Sequence, residues 1–425
     1  MDKRLVEPID HPLDAKVRVP GSKSITQRAM LCAALAEGQS TLVGALHSED
    51  PELLAGALSI TGAQVERTQE GLLIEGVAGK PRLPGAKVFM GNNGTGTRFF
   101  LAYAALGQGE DIVLTGTERL CERPVAPLIE ALIAWEARIS YLEKEGFLPV
   151  RIQGGGLSGG RVALSVAKSS QFLSALLLVG PYTKKLAEIE LVSPLVSRPY
   201  VDLTITVMQA FGAEVEEEGE VFRVKQKPYR SQIYEVEGDA SSASYFLAAA
   251  ALVGGRVTVT NLPQNSLQGD AAFAGLLSRM GCEVSYENGV TVERPPEVAL
   301  RAIDVNMGRY PDLVPTLAVV AAKAKGKTVI RGVPHLRYKE TDRLRAVATE
   351  LRKCGVEVEE LEDGLIIQGT DKLLGAEIET YDDHRIAMAF AILGLVAPGI
   401  VICNPGCVAK SFPNFWEVLE SLYAK

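Results

Sequence analysis

A polar loop followed by an Ala/Leu-rich run recurs six times along the chain, and no other feature restricts the fold as strongly. The starts fall at Gly21, Gly91, Lys168, Gly238, Gly308 and Tyr381. A period of about 70 residues means six similar supersecondary units. Each unit reads as loop, apolar helix, strand, second helix and two strands. In the first, P-G-S-K-S-I-T-Q-R at Pro20 to Arg28 leads into a helix from Ile25 to Leu35 and a strand from Thr41 to Val43. A second helix is expected near Pro51 to Leu58, then strands near Gln64 to Arg67 and Leu72 to Glu75. The sixth unit lacks its last strands. Because the first helix of each unit is apolar nearly all round, it belongs inside, with amphipathic second helices outside. Only the N-terminus of each inner helix then meets solvent.

Six units in 425 residues exceed one ordinary core, so three units per domain fit best, with a boundary near Gln232 to Asp239. The six cysteines form no C-x-x-C pair, which predicts reduced thiols in a cytoplasmic protein. The start M-D-K-R-L-V-E-P-I-D has no apolar segment of the kind a secretory signal needs. Four scattered histidines offer no metal-ligand spacing, so no metal is expected. A net charge of −8 argues against nucleic acid as a partner. The apolar stretch Ile386 to Cys403 is interrupted by Gly394 and Pro398-Gly399, so it reads as a helix and a strand, and no membrane association is expected.

The loops hold the chemistry. Lys23, Ser24 and Arg28 belong to the first start, Asn92, Thr95 and Arg98 to the second, and Lys168, Ser169, Ser170 and Gln171 to the third. Asp239 and Ser241, Asp312, and Asp383, His384 and Arg385 belong to the remaining three. Linkers add E-R-P at Glu122 to Pro124, S-R-P-Y at Ser197 to Tyr200, R-Y-K-E-T-D-R at Arg337 to Arg343, and Lys410. Helix N-termini with unpaired N–H groups favour anions, and the nearby cations exceed what one phosphate needs. Two multiply charged anions, side by side, would use them. Plainer readings stand beside this one: a capped surface helix at Lys23, a solvated charge ladder at Lys339 to Arg343, a simple N-cap at Asp312, and a capping or core histidine at His384. The chain has no P-loop, no dinucleotide fingerprint and no G-x-S-x-G.

Taken together, P-G-S-K-S-x-x-x-R, G-N-x-G-T-x-x-R, E-R-P, S-S-Q-F-L-S-A-L-L, S-R-P-Y-V-D, E-G-D-A-S-S-A-S-Y-F-L-A-A-A, K-E-T-D-R and D-D-H-R-x-A-M resemble the 5-enolpyruvylshikimate-3-phosphate synthases of the enolpyruvyl transferase family, from Pro20 to about Phe415. The resemblance implies a two-domain α/β protein of inside-out α/β barrels, six repeats of a βαβαββ-type unit, three per domain. Residues 1–20 would join 240–425, residues 21–239 would form the other domain, and hinge crossovers would lie near 20 and 239. The implied reaction moves the enolpyruvyl group of phosphoenolpyruvate to the 5-hydroxyl of shikimate 3-phosphate, without a cofactor, in a monomer.

Carried over residue by residue, the shikimate 3-phosphate contacts would be Lys23, Ser24, Arg28, Ser169, Ser170, Gln171, Ser197, Tyr200, Asp312 and Lys339. Those to phosphoenolpyruvate would be Lys23, Asn92, Gly94, Arg123, Gln171, Arg343, His384, Arg385 and Lys410. Glu340 resembles the general acid, Asp312 the base, and Lys23 would touch both substrates where phosphate leaves. Three positions bear on this pattern. His335 stands where the family commonly has Asn, Phe99 follows Arg98 where many members have Pro, and Gly94 lacks the methyl that blocks glyphosate in tolerant relatives. Glyphosate is therefore expected to compete with phosphoenolpyruvate. The nearest rival is the sister enzyme acting on UDP-N-acetylglucosamine. It usually carries a reactive Cys several residues before an Arg-Pro pair, whereas Cys121 lies only two residues before Arg123. A non-catalytic phosphometabolite-binding protein and an RNA-end-processing relative are rivals of other kinds.

Overall fold

Six helices rich in Ala and Leu have almost no polar face, so burial on all sides is the stable outcome. In the computed structural model, which describes residues 2–424, they are Lys23–Leu35, Gly94–Ala105, Gln171–Val179, Ala240–Val253, Val314–Ala321 and His384–Gly394. Nearly every residue in them is buried. The first three pack on one another in one core and the last three in a second. Contacts divide the chain accordingly into Gly21–Val236 and a discontinuous unit, Met1–Pro20 with Glu237–Lys425.

A helix buried along its length must satisfy its end groups locally. Ser22 Oγ accepts from Ile25 N at 3.4 Å, Asn93 Oδ1 from Gly96 N at 2.8 Å, Asp239 Oδ1 from Ser242 N at 2.7 Å, and Asp383 Oδ1 from Arg385 N at 2.9 Å. The helix at Val314 begins differently, from a 3-10 turn at Pro311–Leu313.

Five four-stranded sheets share one order of pairing. A central strand has a parallel neighbour on one side and an antiparallel one on the other, with a fourth strand antiparallel beyond that. In one, Gln39–Val43 lies between parallel Ile233–Glu235 and antiparallel Gly71–Glu75, followed by Gln64–Arg67. In another, Gly255–Val259 lies between parallel Leu13–Val17 and antiparallel Val290–Arg294. The smaller sheet around Ile400–Cys403 has parallel Glu377–Ile378 on one side. On the other, the N-terminal strand Lys3–Val6 pairs antiparallel with Ile400–Cys403. Strands from the two ends of each unit thus complete its sheets.

The crossing segments are pinned by Asn261. Its Nδ2 donates to Val19 O at 2.8 Å and its Oδ1 accepts from Val19 N at 3.1 Å. Its backbone O accepts from Gly238 N at 3.0 Å, while Asp239 N donates to Pro20 O at 2.8 Å. On the far side of the first crossing, a Cβ on Gly21 would lie 1.9 Å from Gly44 O, so only glycine fits.

Helix starts are set by local side chains. The helix expected near Pro51 begins at Glu49, placing Glu49, Asp50 and Glu52 in its first turn, where acidic side chains suit the helix dipole. The helix after the K-E-T-D-R run begins at Arg343, because Asp342 takes the cap and accepts from Arg345 N at 3.1 Å. Among the described residues no helix is long and apolar enough to cross a membrane.

Candidate active site

In the unit Gly21–Val236 the loops before the inner helices are cross-linked by side chains. Lys23 Nζ donates to Asp50 Oδ2 at 2.9 Å, and both groups are buried. Asn93, besides capping its own helix, donates from Nδ2 to Asp50 O at 2.7 Å and to Gln27 Oε1 at 2.9 Å. This ties the Lys23 helix, the Glu49 helix and the Gly94 helix at one end. The Arg123 guanidinium lies across Gly94, where a Cβ would come within 2.4 Å of one of its nitrogens, and it approaches Asn92 Oδ1 at 3.5 Å. Arg98 donates to Gly94 O at 3.0 Å and to Gln171 Oε1 at 2.8 Å, and Gln171 Nε2 donates to Thr95 Oγ1 at 2.9 Å. Ser169 Oγ accepts from Gln171 N at 3.2 Å, and buried Ser170 precedes the helix without making a side-chain cap bond.

Arg28 is 1% exposed. It donates to Thr204 Oγ1 at 2.7 Å, Ser24 O at 2.8 Å and Tyr200 O at 3.2 Å, and its guanidinium lies 5.2 Å from the Phe99 ring centre. Burial lowers its pKa to about 10, which leaves it a cation at neutral pH. Phe99 is thus accommodated as a platform for Arg28 within an unbroken helix. Ser197 sits buried with φ 53°, ahead of the helix Arg198–Ala210 that brings Tyr200 and Thr204 toward Arg28.

The second unit gathers five of the predicted residues, Asp312, Lys339, Glu340, Arg343 and Arg385, more tightly. Asp312 Oδ1 accepts from Arg343 at 2.9 Å and its Oδ2 from Arg385 at 2.8 Å, with Lys339 Nζ at 4.0 Å. Arg343, 1% exposed, also donates to Glu340 Oε2 at 2.7 Å and to Asp383 Oδ2 at 2.8 Å. Burial by itself would push the Asp312 carboxyl up, but Arg385, Lys339 and Arg343 outweigh it and hold the group well below the usual carboxylate range. His384 is fully buried with Nδ1 3.8 Å from Asp383 Oδ1, and Lys410 is buried at the end of the turn Pro405–Lys410. His335 is buried as well. Burial and then Lys339 lower its pKa to about 4, so it is neutral at physiological pH.

Two acidic residues escaped the sequence reading. Asp50 holds Lys23, yet it looks like an ordinary first-turn acid. Asp270, 3% exposed, accepts a hydrogen bond from Ser241 Oγ. Burial first, and then the charge of Asp312, raises its pKa to about 6. Among the described residues no group of three or more His, Cys, Asp or Glu could hold a metal ion.

The model of the EPSP synthase (3-phosphoshikimate 1-carboxyvinyltransferase) family matches residues 8–419. A curated 3-phosphoshikimate 1-carboxyvinyltransferase from Trichormus variabilis is 44% identical over 420 residues, covering 98% of each chain. One from Histophilus somni is 43% identical over 433 residues, covering 99% of each. Among solved structures, EPSP synthase from Acinetobacter baumannii superposes with a TM-score of 0.83 at 30% identity, covering 99% of this chain and 98% of that one. Motifs, mixed α/β architecture and full-length similarity thus agree, and the chain belongs to the EPSP synthase family.

Proposed function

We infer that this chain transfers the enolpyruvyl group of phosphoenolpyruvate to the 5-hydroxyl of shikimate 3-phosphate with release of phosphate, the shikimate-pathway step leading to chorismate and the aromatic amino acids. The observation that carries the reading is Asp312, a carboxylate held by Arg343 and Arg385 beside Glu340. Two arginines that grip a carboxylate of the protein are chemically suited to the carboxylate of phosphoenolpyruvate.

The two substrates together bring about five or six negative charges. In our reading Lys23, Asn92, Gly94, Arg123, Gln171 and Lys410 serve the phosphate end of phosphoenolpyruvate. Arg343, Arg385 and His384 serve its carboxylate end. Ser169, Ser170, Ser197 and Lys339 take the phosphate of shikimate 3-phosphate, and Lys23, Ser24, Arg28, Gln171, Tyr200 and Asp312 take the rest of that molecule. Glyphosate competes with phosphoenolpyruvate for the Gly94 and Arg123 end.

In the addition half, the 5-hydroxyl oxygen attacks C2 of phosphoenolpyruvate, Asp312 receives the hydroxyl proton, and Glu340 gives a proton to C3. In the elimination half, a C3 proton is removed and the bond from C2 to the phosphate oxygen breaks, with Lys23 beside the leaving phosphate. A carboxylate with a very low pKa is a weak base. Anionic substrates resting on Arg343, Arg385 and Lys339 would offset those charges and bring Asp312 toward a useful pKa.

The finer architecture we propose is an inside-out α/β barrel in each unit, built from three repeats with the apolar helices inside. This is supported by the shared order of strands in the sheets. Six free cysteines suit a reducing cytoplasm and, in our reading, a monomer.

The test is phosphate release from phosphoenolpyruvate with shikimate 3-phosphate as acceptor, against UDP-N-acetylglucosamine in its place. Turnover with the nucleotide sugar alone would overturn the assignment. Asp312→Ala is expected to lower kcat by about 10²- to 10⁴-fold while shikimate 3-phosphate still binds by calorimetry.

A further inference from the structure

Tyr381 and Asp382 immediately precede Asp383, His384 and Arg385, and both lie in the left-handed region, each with φ 54°. Neither is glycine, and a bulky residue such as Tyr rarely adopts that conformation unless its surroundings impose it. The constraint comes from a side chain with no other evident task. Glu350 is 0% exposed and sits on the helix Arg343–Lys353, about two turns beyond Arg343 and on the same face. Its Oε1 accepts from Tyr381 OH at 2.7 Å, and its Oε2 accepts from Glu379 N at 3.1 Å and from Lys353 Nζ at 2.7 Å.

The same helix holds the other end of the segment, because Arg343 Nε donates to Asp383 Oδ2 at 2.8 Å. Asp383 in turn caps Arg385 N through Oδ1 at 2.9 Å. Thr380 Oγ1 on Cys403 O at 2.9 Å and Asn404 Nδ2 on Asp382 Oδ1 at 3.1 Å fix the outer side of the turn. The segment Glu379 to Asp383 is therefore clamped at both ends to one helix, and Arg385 emerges from the clamp at a set angle.

We propose that Glu350 and Tyr381 are positioning residues for phosphoenolpyruvate: their hydrogen bond holds the left-handed turn that aims Arg385, and Arg343 beside it, at the substrate carboxylate. The inference rests on the assignment of those arginines in the proposed function. A fully buried carboxylate is a strong, directional acceptor, so losing it frees the turn without removing any group that touches substrate.

Tyr381→Phe and Glu350→Ala are expected to raise KM for phosphoenolpyruvate about tenfold. The Kd for shikimate 3-phosphate, measured by calorimetry in the absence of phosphoenolpyruvate, should stay within about twofold, and kcat at saturation should fall less than KM rises. Glu350→Gln keeps an acceptor for Tyr381 OH and should recover most of the loss. Thermal melting of each variant separates this from general unfolding: a KM effect that appears only together with a lowered melting temperature and a weakened shikimate 3-phosphate Kd would overturn the proposal. Arg385→Ala is the reference. If it raises KM and Tyr381→Phe does not, the clamp is wrong and the arginine assignment stands. If Arg385→Ala leaves KM unchanged, both fall.

Discussion

Asp270 and Asp312 are both acids in the same unit, and their environments pull them in opposite directions. Burial raises Asp270 to about 6, so the folded chain keeps that proton at a pH where the unfolded chain has lost it. Between about pH 4 and 6 the folded state binds more protons, and this contribution to stability falls as pH rises. Asp312, depressed by its cations, does the reverse: its contribution is present above the ordinary carboxylate pKa and is lost as pH falls. Asp270→Asn should therefore remove a penalty of about 3 kcal/mol at neutral pH. Chemical denaturation of wild type and variant at pH 4 and pH 7 reads the difference directly, and parallel pH slopes would show that Asp270 does not titrate there. At this scale Lys23, Asp312 and Glu340 stood out only through the recurring loop starts and the family motifs around them, because each by itself reads as a cap or a solvated charge. The sequence hid Asp50 and Asp270, which sit where acids are common and gain meaning only from a buried partner. Arg343 entered only as a phosphoenolpyruvate contact implied by the resemblance, and nothing in the sequence marked it as the hub whose nitrogens meet Asp312, Glu340 and Asp383.

Elements were more legible than their ends. The Ala/Leu-rich runs identified all six inner helices, because such a run is both a good helix former and unable to face water. Starts depend on local chemistry: the helix expected near Pro51 begins at Glu49, a capping Asp342 sets the start at Arg343, and a 3-10 turn precedes Val314. What no local pattern revealed is how the buried C-terminal carbonyls are satisfied. In one unit aromatic hydroxyls do it: Tyr182 OH donates to Leu35 O at 2.7 Å and Tyr229 OH to Leu178 O at 2.8 Å. In the other, Arg294, at the end of strand Val290–Arg294, donates to Ala251 O at 2.5 Å, Leu252 O at 3.2 Å and Val298 O at 2.6 Å. Arg294→Met keeps most of the aliphatic bulk but strands those carbonyls, so it should cost about 2–4 kcal/mol. A melting temperature equal to wild type would mean that water replaces the guanidinium at little cost.

At the scale of the whole chain, the mixed α/β character was readable, whereas the way each contact-defined unit closes was not. A three-residue strand such as Ile233–Glu235, mostly exposed, carries too little pattern to be assigned, yet it pairs in parallel with Thr41 to Val43 and completes the first sheet of its unit. Leu13–Val17 does the same for Gly255–Val259 from the far end of the sequence. The consequence is an asymmetry in folding. Gly21–Val236 is continuous, contains its own core and includes both halves of its closing pair. The other unit needs the first twenty residues, supplied a long way in sequence from the rest, and bears the larger loop-closure entropy. A fragment of residues 21–236 should therefore melt cooperatively by itself, while one ending at residue 231 should lose several degrees because the edge of Gln39–Val43 is left unpaired. A fragment of residues 237–425 should regain cooperative melting only when a peptide of residues 1–20 is added to supply Lys3–Val6 and Leu13–Val17. Cooperative melting of 237–425 alone, unaffected by the peptide, would show that these two strands decorate the unit and do not close it.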